Sequence, residues 1–308
     1  MPKDLHELPK LRDSISYLYM EHAKIEQEDS SIVAIREDGR IPIPVSSVTC
    51  LLLGPGTRVT HAAIKAAADN GCMIIWCGER MSRFYASGMG ETRSAANLLL
   101  QAKCCLNEDL HMVVVKRMYE IRFPSMPTKD LTLQQIRGLE GIRVKQTYRI
   151  ESKRTGVKWS SRQYKQTDWD NSDDINRALS SANAILYSVC HAAITSLGFS
   201  PGLGFIHTGK MMSFVYDIAD LYKTETSIPA AFEAVRDGKE NLDQLIRKNM
   251  HYKTARANIL RRVADDLARI FNFPLSEEQH NETSAGKLWD KDRIVDGGKN
   301  YSEEGIIM

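Results

Sequence analysis

Near residue 92 the hydrophobic period of this chain changes, and that break limits what it can fold into more than any other feature. Before it, apolar residues fall in short β-branched and aromatic runs, SSIVAI, RIPIPV, SVTCLLL, CMIIWCG and SRFYASG, separated by Gly, Pro, Asp and Asn. Such runs predict a small antiparallel β domain over residues 1–91. One helix interrupts it, HAAIKAAADNG, with Gly71 where a helix C-terminus favours glycine. After the break the period is helical, the segments are long and proline is confined to the joints, so residues 92–275 are expected to be all-α. The fold class is therefore α+β. Residues 276–308 turn polar and glycine-containing and read as a mobile tail, in which Leu288, Trp289, Ile294 and Val295 suggest a docking segment.

Three helices can be placed from their own signals. Thr132 and Gln135 form a capping-box pattern ahead of LTLQQIRGLEGIRVKQTYRIES. A second helix begins near Ser172, carries Ile175, Leu179, Ala182, Leu186, Val189, Ala193 and Leu197 on one stripe, and stops at Gly198. A third begins near Ser213, contains FVYDIADLYKTET and ends before Pro229.

With 308 residues there is chain enough for two cores, and the 43% hydrophobic and 26% charged fractions are those of an ordinary globular protein. No apolar run is long enough to cross a bilayer, and the start, MPKDLHELPKLRDS, has no apolar signal core. A soluble, cytoplasmic protein is expected. Six cysteines without a C-x-x-C pair or nearby histidines at zinc spacing fit reduced thiols in a reducing compartment. The net charge of +2 leans only slightly toward an anionic partner.

Glu140 is the first residue to suggest chemistry, because it falls inside the stripe of Leu133, Ile136, Val144 and Tyr148. A carboxylate on a core-facing stripe needs a metal, an arginine or another ionisable partner, and spacing leaves open a buried ion pair with Arg137 or Arg143. The second constellation is GFIHTGKMMSFVYDIAD, residues 204–220. Asp217 and Asp220 are three apart on one helix edge, where like charges repel unless a cation sits between them. With His207 just upstream, the set of carboxylates and one imidazole suits Mg²⁺ or Mn²⁺. The same stretch matches a phosphate-binding G-x-x-x-x-G-K at Gly204, Gly209 and Lys210, but Met211 stands where a Ser or Thr should bind magnesium. There is no G-x-S-x-G for a serine hydrolase. Arg58, Arg83, Lys210 and the basic group Arg247, Lys248, Lys253, Arg256, Arg261 and Arg262, with Tyr164, Trp169, Tyr187 and Tyr216, suit a nucleic-acid track. Solvated surface and core packing are the alternatives for the charges and the aromatics respectively.

Taken together, LGPGTRVTHAA, GER with RFYASG, QQIRGLEG, DDIN and GFIHTGKMMSFVYDIAD closely resemble the CRISPR-associated spacer-acquisition integrase family, nearest to its type I-E branch, over roughly residues 11 to 270. The resemblance implies a β-sandwich N-terminal domain used in dimerisation, an all-α catalytic domain, and a homodimer bridged by a small ferredoxin-like partner dimer. It implies metal ligands at Glu140, His207 and Asp220, with Asp217 as a further acidic catalytic position. Arg58, Arg83, Tyr164, Tyr187, Lys210 and Tyr216 match positions that contact or support DNA. The implied reaction inserts short DNA fragments into a CRISPR array, each free 3′-hydroxyl attacking a phosphodiester at the repeat. His22 stands where the related branch has a tyrosine that wedges open the duplex end. Two other functions stay open at this stage: a metal-dependent nuclease for branched DNA, and a non-catalytic DNA-binding scaffold.

Overall fold

The computed structural model describes residues 17–28, 31–88, 95–124, 131–162, 173–238, 240–273, 288–289 and 294–295. The chain divides into two compact units, one spanning Arg12–Asn272 and the other Met1–Leu11 with Phe273–Met308.

The larger unit opens with the strands β1 (Tyr17–Met20), β2 (Lys24–Glu28), β3 (Ser31–Arg36), β4 (Gly39–Ile43), β5 (Cys50–Leu53), β6 (Arg58–Val59), β7 (Met73–Cys77) and β8 (Phe84–Gly88). They form two four-stranded sheets, ordered β1-β5-β7-β8 and β4-β3-β2-β6. Ile25, Ile32, Ala34 and Ile43 of one sheet pack against Leu51, Leu53 and Ile74 of the other, and Ala63, Ala66 and Ala67 of helix α1 (His61–Asp69) complete the same core. Thr60 caps the start of α1 through the N–H of Ala63, and Gly71 follows its end with φ of 60°.

The expected antiparallel arrangement needs correction, because β1–β5, β5–β7 and β2–β6 are parallel pairs. The reason lies on the outer face of the first sheet. Cys50, Leu52, Met73, Ile75 and Cys77 are buried there with Ala192, so β5 and β7 are covered on both faces. Doubly covered strands read as continuous apolar runs and suit parallel pairing, whereas the short parallel pair β2–β6 forms without such cover.

The helical part contains α2 (Ala96–Leu106), α3 (Glu108–Arg122), α4 (Leu133–Thr155), α5 (Asp174–Ser196), α6 (Ser213–Asp220), α7 (Ser227–Asp237), α8 (Leu242–Arg256) and α9 (Ile259–Ile270). Helix α5 is its axis. It is capped by Asp173 and buries the predicted stripe, Ile175, Leu179, Ala182, Leu186, Val189 and Ala193, against α6, α7, α8, α9 and the sheet. Each such Leu, Ile or Val contributes about 1.5–3 kcal/mol by leaving water. Helix α4 has the expected capping box at Thr132 and Gln135, but only Ile136 of its side chains is buried. The single helix expected from Ser213 to Pro229 is two: α6 ends at Asp220, and Pro229 lies in the first turn of α7. There its missing N–H forfeits no helical hydrogen bond.

In the smaller unit β9 (Leu288–Trp289) and β10 (Ile294–Val295) pair antiparallel, Trp289 opposite Ile294 and Leu288 opposite Val295. The rest of the expected tail lies outside the described residues. No described helix is long and apolar enough to cross a membrane.

Candidate active site

The site is built around a turn that closes on a buried carboxylate. Asp217, on α6, has a side chain with no exposed surface. Its Oδ2 accepts hydrogen bonds from the backbone N–H groups of Phe205 at 2.6 Å and Ile206 at 3.1 Å. Its Oδ1 accepts from the His207 backbone N–H at 2.8 Å and meets His207 Nδ1 at 2.7 Å. Four N–H donors therefore converge on one carboxylate, which satisfies a buried charge that would otherwise be costly. The turn can come this close only because residue 204 is glycine: a Cβ there would stand 2.2 Å from the His207 carbonyl oxygen and 2.7 Å from Ser213 Cβ.

The same contact fixes His207. An ionised carboxylate only accepts, so Nδ1 carries the hydrogen and the Nε2 lone pair is left on the exposed side of the ring. The hydrogen bond to Asp217 raises the His207 pKa above the ordinary histidine value, against burial, with Asp220 adding to the rise. Asp217 is thus turned inward to the loop, and the expectation of a cation shared between Asp217 and Asp220 is replaced by a different geometry.

Asp220 is paired with Glu140 instead, across helices. Glu140 on α4 accepts a hydrogen bond from Tyr119 Oη at 3.0 Å on Oε2 and from Arg122 Nη1 on Oε1. The same Nη1 lies 3.6 Å from Asp220 Oδ2. Lys223 Nζ is 2.5 Å from Asp220 Oδ1, so that oxygen faces an ammonium group. The ion pair that spacing left open for Glu140 therefore exists, but its cation is Arg122 at the end of α3 rather than Arg137 or Arg143. Burial pushes the Tyr119 hydroxyl up to about 12, with the Glu140 charge adding to the effect. Burial pulls Lys223 down, but the neighbouring Asp220 outweighs it and holds the ammonium above its ordinary value.

An aromatic wall joins the two halves. Tyr216 stands edge-on to His207 at 5.9 Å and to Tyr187 at 5.0 Å, and Lys223 Nζ lies 5.0 Å from the Tyr187 ring centre. Lys210 is exposed, its backbone N–H bonded to Ser213 Oγ at 3.0 Å. Arg58 on β6 and Arg83 just before β8 present exposed side chains on the sandwich. His22 holds a left-handed backbone with φ of 50° and donates its N–H to the Pro55 carbonyl at 2.9 Å. Tyr164 and Trp169 lie outside the described residues. Much of the late basic group is engaged locally: Arg262 with Glu225 at 2.7 Å, Lys253 with Glu233 at 2.9 Å and Arg247 with Glu79 at 3.9 Å. The sequence reading missed Tyr119, Arg122 and Lys223. Lys223 carried a signal, three residues after Asp220 on the same chain direction, whereas Arg122 meets Glu140 only through the packing of α3 on α4.

Among the described residues no three His, Cys, Asp or Glu side chains already converge on one point as metal ligands do. The donor chemistry nevertheless fits a hard divalent cation: the carboxylates of Glu140 and Asp220 and an imidazole whose other nitrogen is held by a carboxylate. Arg122 occupies the ground between the two carboxylates.

Residues 122–258 match the family model described as CRISPR associated protein Cas1. Over 304 aligned residues the chain is 47% identical to the CRISPR-associated endonuclease Cas1 2 of Thermus thermophilus, covering 97% of this chain and 94% of that relative. It belongs to the Cas1 family. The Cas1 endonuclease of Escherichia coli is 43% identical over 244 residues, covering 79% of this chain and 80% of its own. A crystal structure of a TtCas1–DNA complex superposes with a TM-score of 0.81 at 48% identity, covering 87% of this chain and all of the other. The stretch matched to the Cas1 family model starts at Arg122 and holds Glu140, His207, Asp217, Asp220 and Lys223. At 97% coverage the alignment with the Thermus Cas1 reaches into the residues after 275.

Proposed function

We propose that this chain is the integrase of a CRISPR adaptation system, inserting short DNA fragments into the array by attack of a 3′-hydroxyl on a phosphodiester at the repeat. The observation that carries the proposal is the placing of His207 by Asp217 beside Asp220, with Glu140 brought to Asp220 from another helix, in a chain 47% identical to a Cas1 endonuclease. DNA as the ligand is supported by the TtCas1–DNA complex.

In this reading Glu140, His207 and Asp220 hold Mg²⁺ or Mn²⁺, which when bound supplies Lewis-acid stabilisation of the charge that develops around phosphorus and the leaving oxygen. His207 contributes Nε2, and Asp217 holds the ring hydrogen on Nδ1, so that in the neutral imidazole the free lone pair is the one on Nε2. Tyr187 and Tyr216 line the approach, Lys210 offers a cation to a phosphate, and Arg58, Arg83 and Tyr164 extend the track for duplex and repeat DNA. One phosphodiester replaces another, so no nucleoside triphosphate is consumed. The protein acts as a homodimer with a dimer of a small ferredoxin-like partner.

The test is a strand-transfer assay. Full-length protein and its small partner are mixed with a labelled duplex bearing free 3′-hydroxyls and a supercoiled plasmid carrying the repeat, in Mg²⁺, Mn²⁺ or EDTA. Metal-dependent joining that disappears in His207→Ala and Asp220→Ala is the expected result. Cleavage without joining makes the chain a nuclease alone, and DNA binding with neither makes it a scaffold.

A further inference from the structure

Arg122 is in an unusual position for a structural arginine. Its side chain is only 8% exposed, and its Nε is buried without a hydrogen-bond acceptor. The guanidinium carbon stands 5.2 Å from the ring centre of Phe123, which offers a π face but no acceptor oxygen. What binds it is the pair of carboxylates, Glu140 directly and Asp220 at 3.6 Å. Buried guanidinium groups are normally well supplied with acceptors. This one is held by the oxygens that the proposed function needs for a metal.

With Lys223 against the other oxygen of Asp220, the charges of Glu140 and Asp220 are balanced by two side chains of the protein. An arriving divalent cation meets a site already neutral, and it must share or take the oxygens that Arg122 holds. Tyr119 still anchors Glu140 through Oε2 when Arg122 withdraws.

We infer that Arg122 is an internal stand-in cation: it holds Glu140 and Asp220 together in the absence of metal and weakens metal binding by competing for the same oxygens. The inference rests on the reading of Glu140, His207 and Asp220 as metal ligands, and adds that metal entry is an exchange in which the contact between Arg122 and Asp220 is released. Arg122 is then a positioning residue, and its mark is on metal affinity.

The experiment titrates full-length protein with Mn²⁺ without DNA, following the paramagnetic resonance of the free ion, for wild type, Arg122→Met, Arg122→Lys and Asp220→Asn. Loss of the guanidinium charge a few ångströms from a divalent ion is expected to tighten Mn²⁺ binding about tenfold in Arg122→Met, since like-charge repulsion is relieved. Arg122→Lys is expected to stay close to wild type. If wild type binds Mn²⁺ through Asp220 and Arg122→Met binds equally or more weakly, the inference fails while the metal reading stands. If wild type shows no binding that Asp220→Asn removes, the metal reading fails and takes the inference with it. Should Arg122→Met not fold, a crystal structure of wild type with Mn²⁺ decides. A metal between Glu140 and Asp220 with Arg122 drawn away from Asp220 supports the exchange, and Arg122 unmoved beside a bound metal overturns it.

Discussion

Asp217 Oδ1 accepts from both the backbone N–H and the ring Nδ1 of His207, at 2.8 and 2.7 Å, so one buried oxygen fixes both ends of the same residue. The backbone bond sets where the loop passes, and the ring bond sets which nitrogen faces out. Asp217 therefore acts through His207, and its own oxygens are fully engaged with N–H groups.

Asp217→Asn tests that role. The amide keeps the size of the carboxylate but turns an NH₂ toward at least one N–H donor. The lost charge-assisted bonds and the new donor conflict should cost about 2 kcal/mol of stability. On the proposal that His207 holds a metal, losing the group that orients its ring should lower metal affinity or strand transfer by about 10- to 100-fold. Thermal unfolding and Mn²⁺ titration of the variant check both figures, and wild-type metal affinity would mean that His207 needs no such support.

Glu140→Ala is a poorer discriminator between metal ligand and structural ion pair than the sequence alone implies. A pure metal ligand, once removed, relieves carboxylate repulsion and leaves the fold at least as stable. Here its removal leaves Arg122 buried with only the longer contact to Asp220. Breaking one side of a buried pair costs about 3–5 kcal/mol. The expected result is a large drop in the unfolding midpoint together with loss of activity, and the combined variant Glu140→Ala with Arg122→Met should regain much of the stability but none of the activity. A double variant as unstable as Glu140→Ala would show that Arg122 is not the source of the cost.

His191 gives the fold a pH dependence of its own. It lies on α5, stacked on Phe84 of β8 with ring centres 3.7 Å apart, and burial lowers its pKa from 6.5 to about 4. The folded state resists a proton that the unfolded chain accepts, so this contribution to stability is complete above pH about 6.5 and is lost as the pH falls toward about 4. The loss should be on the order of 3 kcal/mol. Denaturant midpoints for wild type and His191→Phe across that range should converge at high pH and separate on acidification, with the wild type falling faster. Parallel curves would remove His191 as the cause.

How far the sequence revealed this molecule depends on whether the forces are local. The capping box of Thr132 and Gln135, the stripe of α5 and the end of α1 at Gly71 are all settled within a few residues, and each is found as expected. The strand directions differ from the antiparallel expectation, although CLLL and MIIWC carry the information: neither alternates, because Ala192 and its neighbours cover the face that would otherwise meet water. The carboxylates of the site could be named from spacing, and His207 could be placed beside them. That Asp217 points inward follows from the loop of residues 205–207 folding back on α6, and that Arg122 joins Glu140 to Asp220 follows from contacts across helices; neither has a residue-type signature in the sequence.

Gly204→Ala isolates the geometry of the loop from its chemistry, because it removes no polar group. Its Cβ would meet the backbone oxygen of His207 at 2.2 Å and the carbon atoms of Ser213 at 2.7 and 2.9 Å, distances that real contacts do not reach. Two of those atoms belong to backbone, and the Ser213 side chain is buried at the start of α6, so the strain cannot be relieved by rotating a side chain. The loop must move away from α6, lengthening the bonds from residues 205–207 to Asp217. Overpacking of this kind costs about 1–3 kcal/mol. The loss should appear both as a lower unfolding midpoint and as a lower His207 pKa, because the bond to Asp217 that raises it is stretched. Nuclear magnetic resonance of the His207 ring against pH reads this directly in the metal-free protein. An unchanged His207 titration in Gly204→Ala would mean that the loop holds Asp217 without needing the close approach that glycine allows.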